Sequence, residues 1–253
     1  GEVTKLSLLL KVLEGENRDT VENQMKLFHE RALPDLGNNI KCGNSLIGPD
    51  FFDNPDIDSS DEELVRKINP FDWHTEFPQI FSRKNPGFNA VIGNPPYIFT
   101  RELITQDEKA YYYQKYQCTQ FKINTYFLFV ENSFHLLNKT GALGYIVPNN
   151  WLSLEYSSEF RRFLLTKTFN ISITNILHKV FQKASVDTCI LTFSKRGENR
   201  VIVHEMENHD IKKISDCSSD IYLNTTNCVI AYGVDTTNKI ELCKRIKANG
   251  IQL

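Results

Sequence analysis

No glycine-rich loop interrupts this sequence. Its 12 glycines are scattered through 253 residues, with no GxGxxG or similar cluster. Residues 1–253 therefore lack the usual backbone cradle for a nucleotide. The six cysteines (Cys42, Cys118, Cys189, Cys217, Cys228 and Cys243) form no CxxC pair, and no histidine cluster supplies zinc spacing. Free thiols in a reducing cytoplasm are expected, with no metal site and no disulfide framework. No apolar run approaches the roughly 20 residues of a bilayer span, and no signal-peptide pattern opens the chain. The expectation is a cytoplasmic chain with no membrane partner. Neither sign of charge dominates: the net charge is −2. A large basic surface is therefore not the main feature, and any contact with nucleic acid is expected to be a local patch or to be made by sequence elsewhere.

What is present is ordinary globular composition, 41% hydrophobic and 24% charged, enough for a sizeable core. Residues 4–14 have helical apolar spacing up to Gly15. Residues 39–42 are a short strand candidate. Residues 50–63 are acidic and turn-rich without calcium-loop spacing. Ser60 and Glu63 have the spacing of a capping box for a helix over 61–68. Phe88–Gly93 reads as a buried strand, and 107–117 as a tyrosine-rich helix. The strongest helical pattern runs over 123–139, with Ile123, Tyr126, Phe127, Val130, Phe134 and Leu137 on one face. Asn138–Gly141 reads as its stop, residues 142–148 as a second buried strand, and 155–167 as another helix. Strands are expected over 171–177, 186–194 and 200–206, and a final helix over 236–247. This order predicts an α/β fold with a parallel sheet and antiparallel edge strands.

One stretch carries chemistry. Val91-Ile92 ends at Gly93 and meets Asn94-Pro95-Pro96-Tyr97. In open parallel sheets, ligands sit beyond the carboxyl ends of the strands. Two prolines stiffen the loop and remove two backbone donors, which leaves carbonyl acceptors. Asn94 adds a side-chain carbonyl, and Tyr97 a flat surface. Two acceptors beside a stacking platform suit a planar NH₂ group, whose delocalised lone pair makes it a poor nucleophile. Holding both N–H bonds favours a more tetrahedral nitrogen aimed at an electrophile, so positioning and electrostatics carry the rate. The plain alternative is a proline turn after a strand.

Asn94-Pro95-Pro96-Tyr97 resembles the catalytic motif of S-adenosylmethionine-dependent amino-group methyltransferases. Residues 71–73 (FDW), Phe77, Ile80-Phe81 and 87–97 resemble the bifunctional type IIG restriction–modification adenine methylases, as do 39–48 (NIKCGNSLIG) and 141–152 (GALGYIVPNNWL). The likeness covers about residues 1–206. It implies a partial Rossmann-like S-adenosylmethionine-dependent methyltransferase sheet. It implies that the parent protein is bacterial and transfers methyl to N(6) of an adenine flipped from double-stranded DNA. Asn94 and Pro95 would accept from the adenine amino group within a catalytic loop completed by Pro96 and Tyr97. Tyr97 would stack on the base. Phe181 is the candidate second aromatic at the base, with a core phenylalanine as its alternative. Asn44 and Ser45 would lie at the cofactor, where a turn asparagine is the plain alternative for Asn44.

The sequence also departs from the family pattern. Asn124 stands near where the family carries an Asp, and Asn89 is a second such departure. The resemblance places the cofactor's glycine-rich loop upstream of residue 1. Residues 1–206 are then the distal portion of a methylase domain, and 207–253 a connector toward a DNA-recognition domain. This portion alone is expected to be inactive. A nuclease domain, the only part needing Mg²⁺, would lie elsewhere in the longer chain. Pro34-Asp35, Pro55-Asp56 and Asp107-Glu108-Lys109 are nuclease-like fragments without strand context. The same tetrapeptide also serves methyltransferases of a glutamine side chain or of an rRNA guanine, and an inactive excised fragment is a further reading.

Overall fold

The computed structural model describes residues 3–4, 7–8, 11, 36–97, 104–119, 123–178 and 186–231. The chain divides into two compact units, Gly1–Gln79 and Ile80–Leu253.

In the first unit, residues 3, 4, 7, 8 and 11 are helical; the rest of the helix expected over 4–14 lies outside the described residues. Residues 39–42 form no strand. Instead a single parallel bridge joins Asn44 to Pro70. Helix α1, Glu62–Ile68, is capped by Asp61, whose side chain accepts from the backbone of Glu63 and Leu64. The Ser60–Glu63 box does not form, because the Ser60 hydroxyl donates to Asp58 Oδ1 at 2.6 Å. An aspartate in register outcompetes a serine one residue early. Leu46, Ile47, Phe51, Ile68 and Phe71 are buried.

The second unit is built on one six-stranded sheet in the order β1-β2-β4-β3-β5-β6. The strands are β1, Phe88–Gly93; β2, Leu137–Pro148; β3, Phe169–Ile176; β4, Thr188–Ser194; β5, Arg200–Glu207; and β6, Asp210–Ser218. Four helices accompany them: α2, Gln106–Lys115; α3, Thr125–Leu136; α4, Ser158–Lys167; and α5, Ser219–Leu223. Strands β1 and β2 are parallel and joined through α2 and α3, the crossover a parallel pair requires. Strands β3 and β5 are also parallel. The antiparallel edge strand is β6, paired with β5. A second antiparallel strand, β4, lies inside the sheet between β2 and β3.

Side chains alternate across the sheet. Val91, Leu143, Tyr145, Val147, Ile171, Ile173, Leu191, Phe193, Val201 and Val203 share one face, within or against the core. Helices α3 and α4 contribute aromatic rings to that core. Phe127 stacks on Phe160 with centroids 4.2 Å apart, and Phe163 meets Phe134 edge-on at 5.3 Å. Of the expected stripe, Tyr126, Phe127 and Val130 are buried on α3 and Phe134 is half-buried there, whereas Ile123 precedes the helix and Leu137 opens β2, both buried.

Three expectations need correction. Among the described residues strand β1 pairs only with β2, at the edge of the sheet, and Ile92 is 90% exposed rather than buried. The Asn138–Gly141 stop is the beginning of β2: Leu137 pairs with Phe88, and the register then shifts before Ala142 meets Ala90. Gly141 is required there, because a Cβ would stand 2.8 Å from the Phe88 carbonyl oxygen. Finally, residues 210–218 are not linker but the sixth strand, joined to β5 by a tight turn in which Asn208 and His209 both have positive φ. Tyr222, Cys228 and Ile230 continue from it into the core. The helix expected over 236–247 lies outside the described residues.

Glu131, only 1% exposed on α3, fixes the turn after α2. Its carboxylate accepts from Gln117 N at 2.8 Å and Cys118 N at 2.9 Å. Burial opposes its ionisation, but hydrogen bonds from His135, Gln117 and Cys118 outweigh burial and hold its pKa below the ordinary 4.5. A carboxyl with a depressed folded-state pKa contributes stability that is complete above the unfolded value and lost as pH falls through the folded one. Denaturant titrations should therefore show stability falling as pH drops below 4.5, with a shallower fall for Glu131→Gln.

Candidate active site

Strands β1, β2, β3 and β5 point the same way, so the segments following Gly93, Pro148 and Ile176 emerge at one end of the sheet. That end gathers the Asn94–Tyr97 loop, the Asn149–Ser157 segment, and Asp187 just ahead of β4. Asn149 N donates to Asp187 O at 3.0 Å and ties the second of these to the third.

The loop after β1 is held through its tyrosine and its second proline. Pro95 is buried, whereas Asn94 and Pro96 are exposed. Thr125 Oγ1, on the first residue of α3, donates to the Pro96 carbonyl at 2.7 Å. No donor among the described residues reaches the Pro95 carbonyl. The structure thus separates the two proline oxygens: one anchors the loop and the other remains available as an acceptor. The Tyr97 hydroxyl lies 2.8 Å from Asn94 Oδ1 and 3.0 Å from the Ile146 carbonyl on β2. Its ring meets Tyr126 edge-on at 6.2 Å. Burial, and then the neighbouring Cys189, push the Tyr97 phenol up to about 12, so the hydroxyl keeps its proton at neutral pH.

A second layer supports this loop. Tyr126 OH donates to Asn150 Oδ1 at 3.2 Å. The Asn149–Ser157 segment is in turn fixed by Arg161, which is fully buried on α4. Its guanidinium donates to the carbonyls of Trp151, Leu154 (2.8 Å) and Asn227 (3.1 and 2.8 Å). Asn124 is 2% exposed at the N-cap of α3, makes no capping bond, and its Nδ2 has no partner among the described residues. Neither amide atom of Asn175, near the end of β3, finds a partner either. Sequence reasoning missed Thr125, Tyr126, Asn150 and Arg161. Only the Tyr126 position carried a signal there, and it signalled core.

Asn44 and Ser45 lie in the first unit. Asn44 Oδ1 accepts from Leu46 N at 3.1 Å, and Asn44 N donates to Asn69 O at 2.7 Å. Ser45 O accepts from Trp73 Nε1 at 3.2 Å. Gly43 is glycine because a Cβ would stand 2.4 Å from the Phe71 ring. The segments around 43–47 and 70–73 therefore form one local assembly. Phe181 lies outside the described residues, as do Pro34-Asp35. Asp107-Glu108-Lys109 sits in the first turn of α2, where Glu108 completes a capping box with Thr105, which accounts for Glu108 structurally. Among the described residues no group of histidine, cysteine or acidic side chains could hold a metal, and no helix is long and apolar enough to cross a membrane.

The model of the Eco57I restriction-modification methylases matches residues 1–181. The chain belongs to this family. Among relatives of this Eco57I-type methylase chain, the type II restriction enzyme and methyltransferase RM.Eco57I of Escherichia coli is 32% identical over 212 residues, covering 81% of the chain and 18% of the relative. A putative type II restriction enzyme and methyltransferase of Methanocaldococcus jannaschii is 27% identical over 218 residues, covering 85% and 17%. The type II methyltransferase M.TthHB8I of Thermus thermophilus is 31% identical over 117 residues, covering 44% and 27%. The chain thus spans less than a fifth of the first two relatives. Among solved structures, the type IIG restriction endonuclease BpuSI is 17% identical with a TM-score of 0.44, covering 63% of this chain and 22% of that one.

Proposed function

We propose that this chain is the distal part of a DNA adenine N(6)-methyltransferase. In this reading the Asn94–Tyr97 loop holds the amino group of an adenine flipped out of double-stranded DNA. The observation that carries the reading is the division of labour in that loop: Pro96 O is anchored by Thr125, whereas Pro95 O takes no donor among the described residues and Asn94 is exposed beside it. Membership of the restriction-modification methylases supports DNA as the substrate class.

The cofactor is S-adenosylmethionine. In the first unit Asn44 has the chemistry to bind an adenine edge, and Ser45 adjoins it. When bound, this cofactor supplies an electrophilic methyl on sulfur. The chain's own residues do the rest. Asn94 Oδ1 and Pro95 O each accept one N–H of the amino group and draw its lone pair out of conjugation with the ring. The proton shed on transfer leaves to one of these oxygens or to water. Tyr97 offers a ring on which a base can stack, worth roughly 1–3 kcal/mol toward the cost of extrusion, and Phe181 is the proposed second aromatic. The recognition domain, and a Mg²⁺-dependent nuclease if present, belong to the rest of a longer protein.

Labelled S-adenosylmethionine should place its methyl on DNA when the protein, at the full length its gene encodes, is offered DNA, rRNA and a glutamine-containing protein substrate together. Label on RNA or protein with none on DNA would replace this reading with a guanine or glutamine methyltransferase. In the same protein, Tyr97→Ala should weaken DNA binding and base extrusion, followed with 2-aminopurine at the target position, and leave cofactor affinity unchanged. Loss of cofactor affinity with intact DNA binding would rule out the stacking role.

A further inference from the structure

One hydroxyl at the candidate site faces two acceptors. Tyr97 Oη lies 2.8 Å from Asn94 Oδ1 and 3.0 Å from Ile146 O. A phenol carries one proton and also accepts, so it cannot donate fully to both oxygens. Turning the Asn94 carboxamide by 180° about its terminal bond exchanges Oδ1 and Nδ2 without moving the loop. The hydroxyl then donates to Ile146 O and accepts from Asn94 Nδ2, and both contacts become hydrogen bonds. This arrangement also aims Asn94 Oδ1 away from Tyr97, where a substrate N–H can reach it.

We propose that the Tyr97 hydroxyl is a positioning group, which selects the carboxamide rotamer of Asn94 through the relay Asn94 Nδ2–H to Tyr97 Oη–H to Ile146 O. The proposal rests on the reading of Asn94 as an acceptor for the substrate amino group. It gives Tyr97 two separable jobs, the ring for the base and the hydroxyl for Asn94. The relay anchors the acceptor to β2, so the sheet backbone sets the orientation of the group that meets the substrate.

A double-mutant cycle separates orientation from mere loop support. In Asn94→Asp both terminal atoms are oxygens, so there is no rotamer to select. With the full-length protein, single-turnover methylation by Tyr97→Phe should fall about tenfold, the scale of one lost hydrogen bond, with DNA and cofactor affinities unchanged. In the Asn94→Asp background, Tyr97→Phe should change the rate by no more than about twofold. The same tenfold cost in both backgrounds would show that the hydroxyl only fastens the loop to β2 and would overturn the proposal. So would the absence of any cost in the Asn94 background. Should Asn94→Asp be too slow to time, the side-chain amide hydrogens of Asn94 give the answer by ¹⁵N NMR. One should be protected from exchange in the parent protein and unprotected in Tyr97→Phe; equal exchange would overturn the relay. Failure of the underlying reading is distinct, because the unmutated protein would then methylate no DNA.

Discussion

Asn94→Ala should lower methyl transfer to DNA by about 10²–10³-fold, the scale of losing one preorganised polar contact to a reacting group. The loss should fall on the chemical step. Asn94 is exposed beyond the end of β1, and among the described residues its side chain hydrogen-bonds only the Tyr97 hydroxyl. The neighbouring anchor, Thr125 Oγ1 on Pro96 O, does not involve it, so loop position and fold should survive the truncation. Single-turnover rates, with DNA and cofactor affinities measured in parallel, check this. A near-normal rate would remove Asn94 from the reaction.

The largest effect on stability is expected at Arg161. Arg161→Ala should destabilise the second unit by about 3–4 kcal/mol, lowering its melting temperature by about 10 °C. Among the described residues no carboxylate neutralises this guanidinium; it is held by the carbonyls of Trp151, Leu154 and Asn227. Burial lowers its pKa from the usual arginine value. Truncation leaves a cavity and three carbonyls without their donor, a cost far above that of an exposed helical arginine. Arg161→Lys should recover only part of the loss, because one ammonium cannot reproduce the fork that reaches Asn227 twice. Thermal denaturation of the three proteins provides the check, and an unchanged melting temperature would mean that these carbonyls find other donors. Because Asn149–Ser157 borders the Asn94–Tyr97 loop through Tyr126 and Asn150, methylation should weaken along with stability.

What was legible in the sequence follows from how local each signal is. The loop after β1 could be read because four consecutive residues hold its chemistry. Helix α3 could be read because its apolar spacing coincides with the face that is buried. The start of β2 was not legible: Asn138-Lys139-Thr140-Gly141 has turn composition, and only pairing with Phe88 makes it strand. The place of β4 inside the sheet is set by pairing with both β2 and β3, and an alternating run carries no mark of its partners. Strand β6, within the expected connector 207–253, carries no strand signal of its own, because its polar residues, Lys212, Lys213 and Asp216 among them, are what an edge strand exposes. Arg161 shows the limit most clearly. A basic residue on a helix reads as solvated, and the carbonyls that bury it come from segments as far away as Asn227.

The central claim is tested most directly by the product. The protein at its full encoded length is incubated with labelled S-adenosylmethionine and DNA, the DNA is digested to nucleosides, and the labelled nucleoside is identified. The account predicts N(6)-methyladenine, absent or much reduced with Asn94→Ala. Label on cytosine alone, or none on DNA while RNA or protein is labelled, would contradict it.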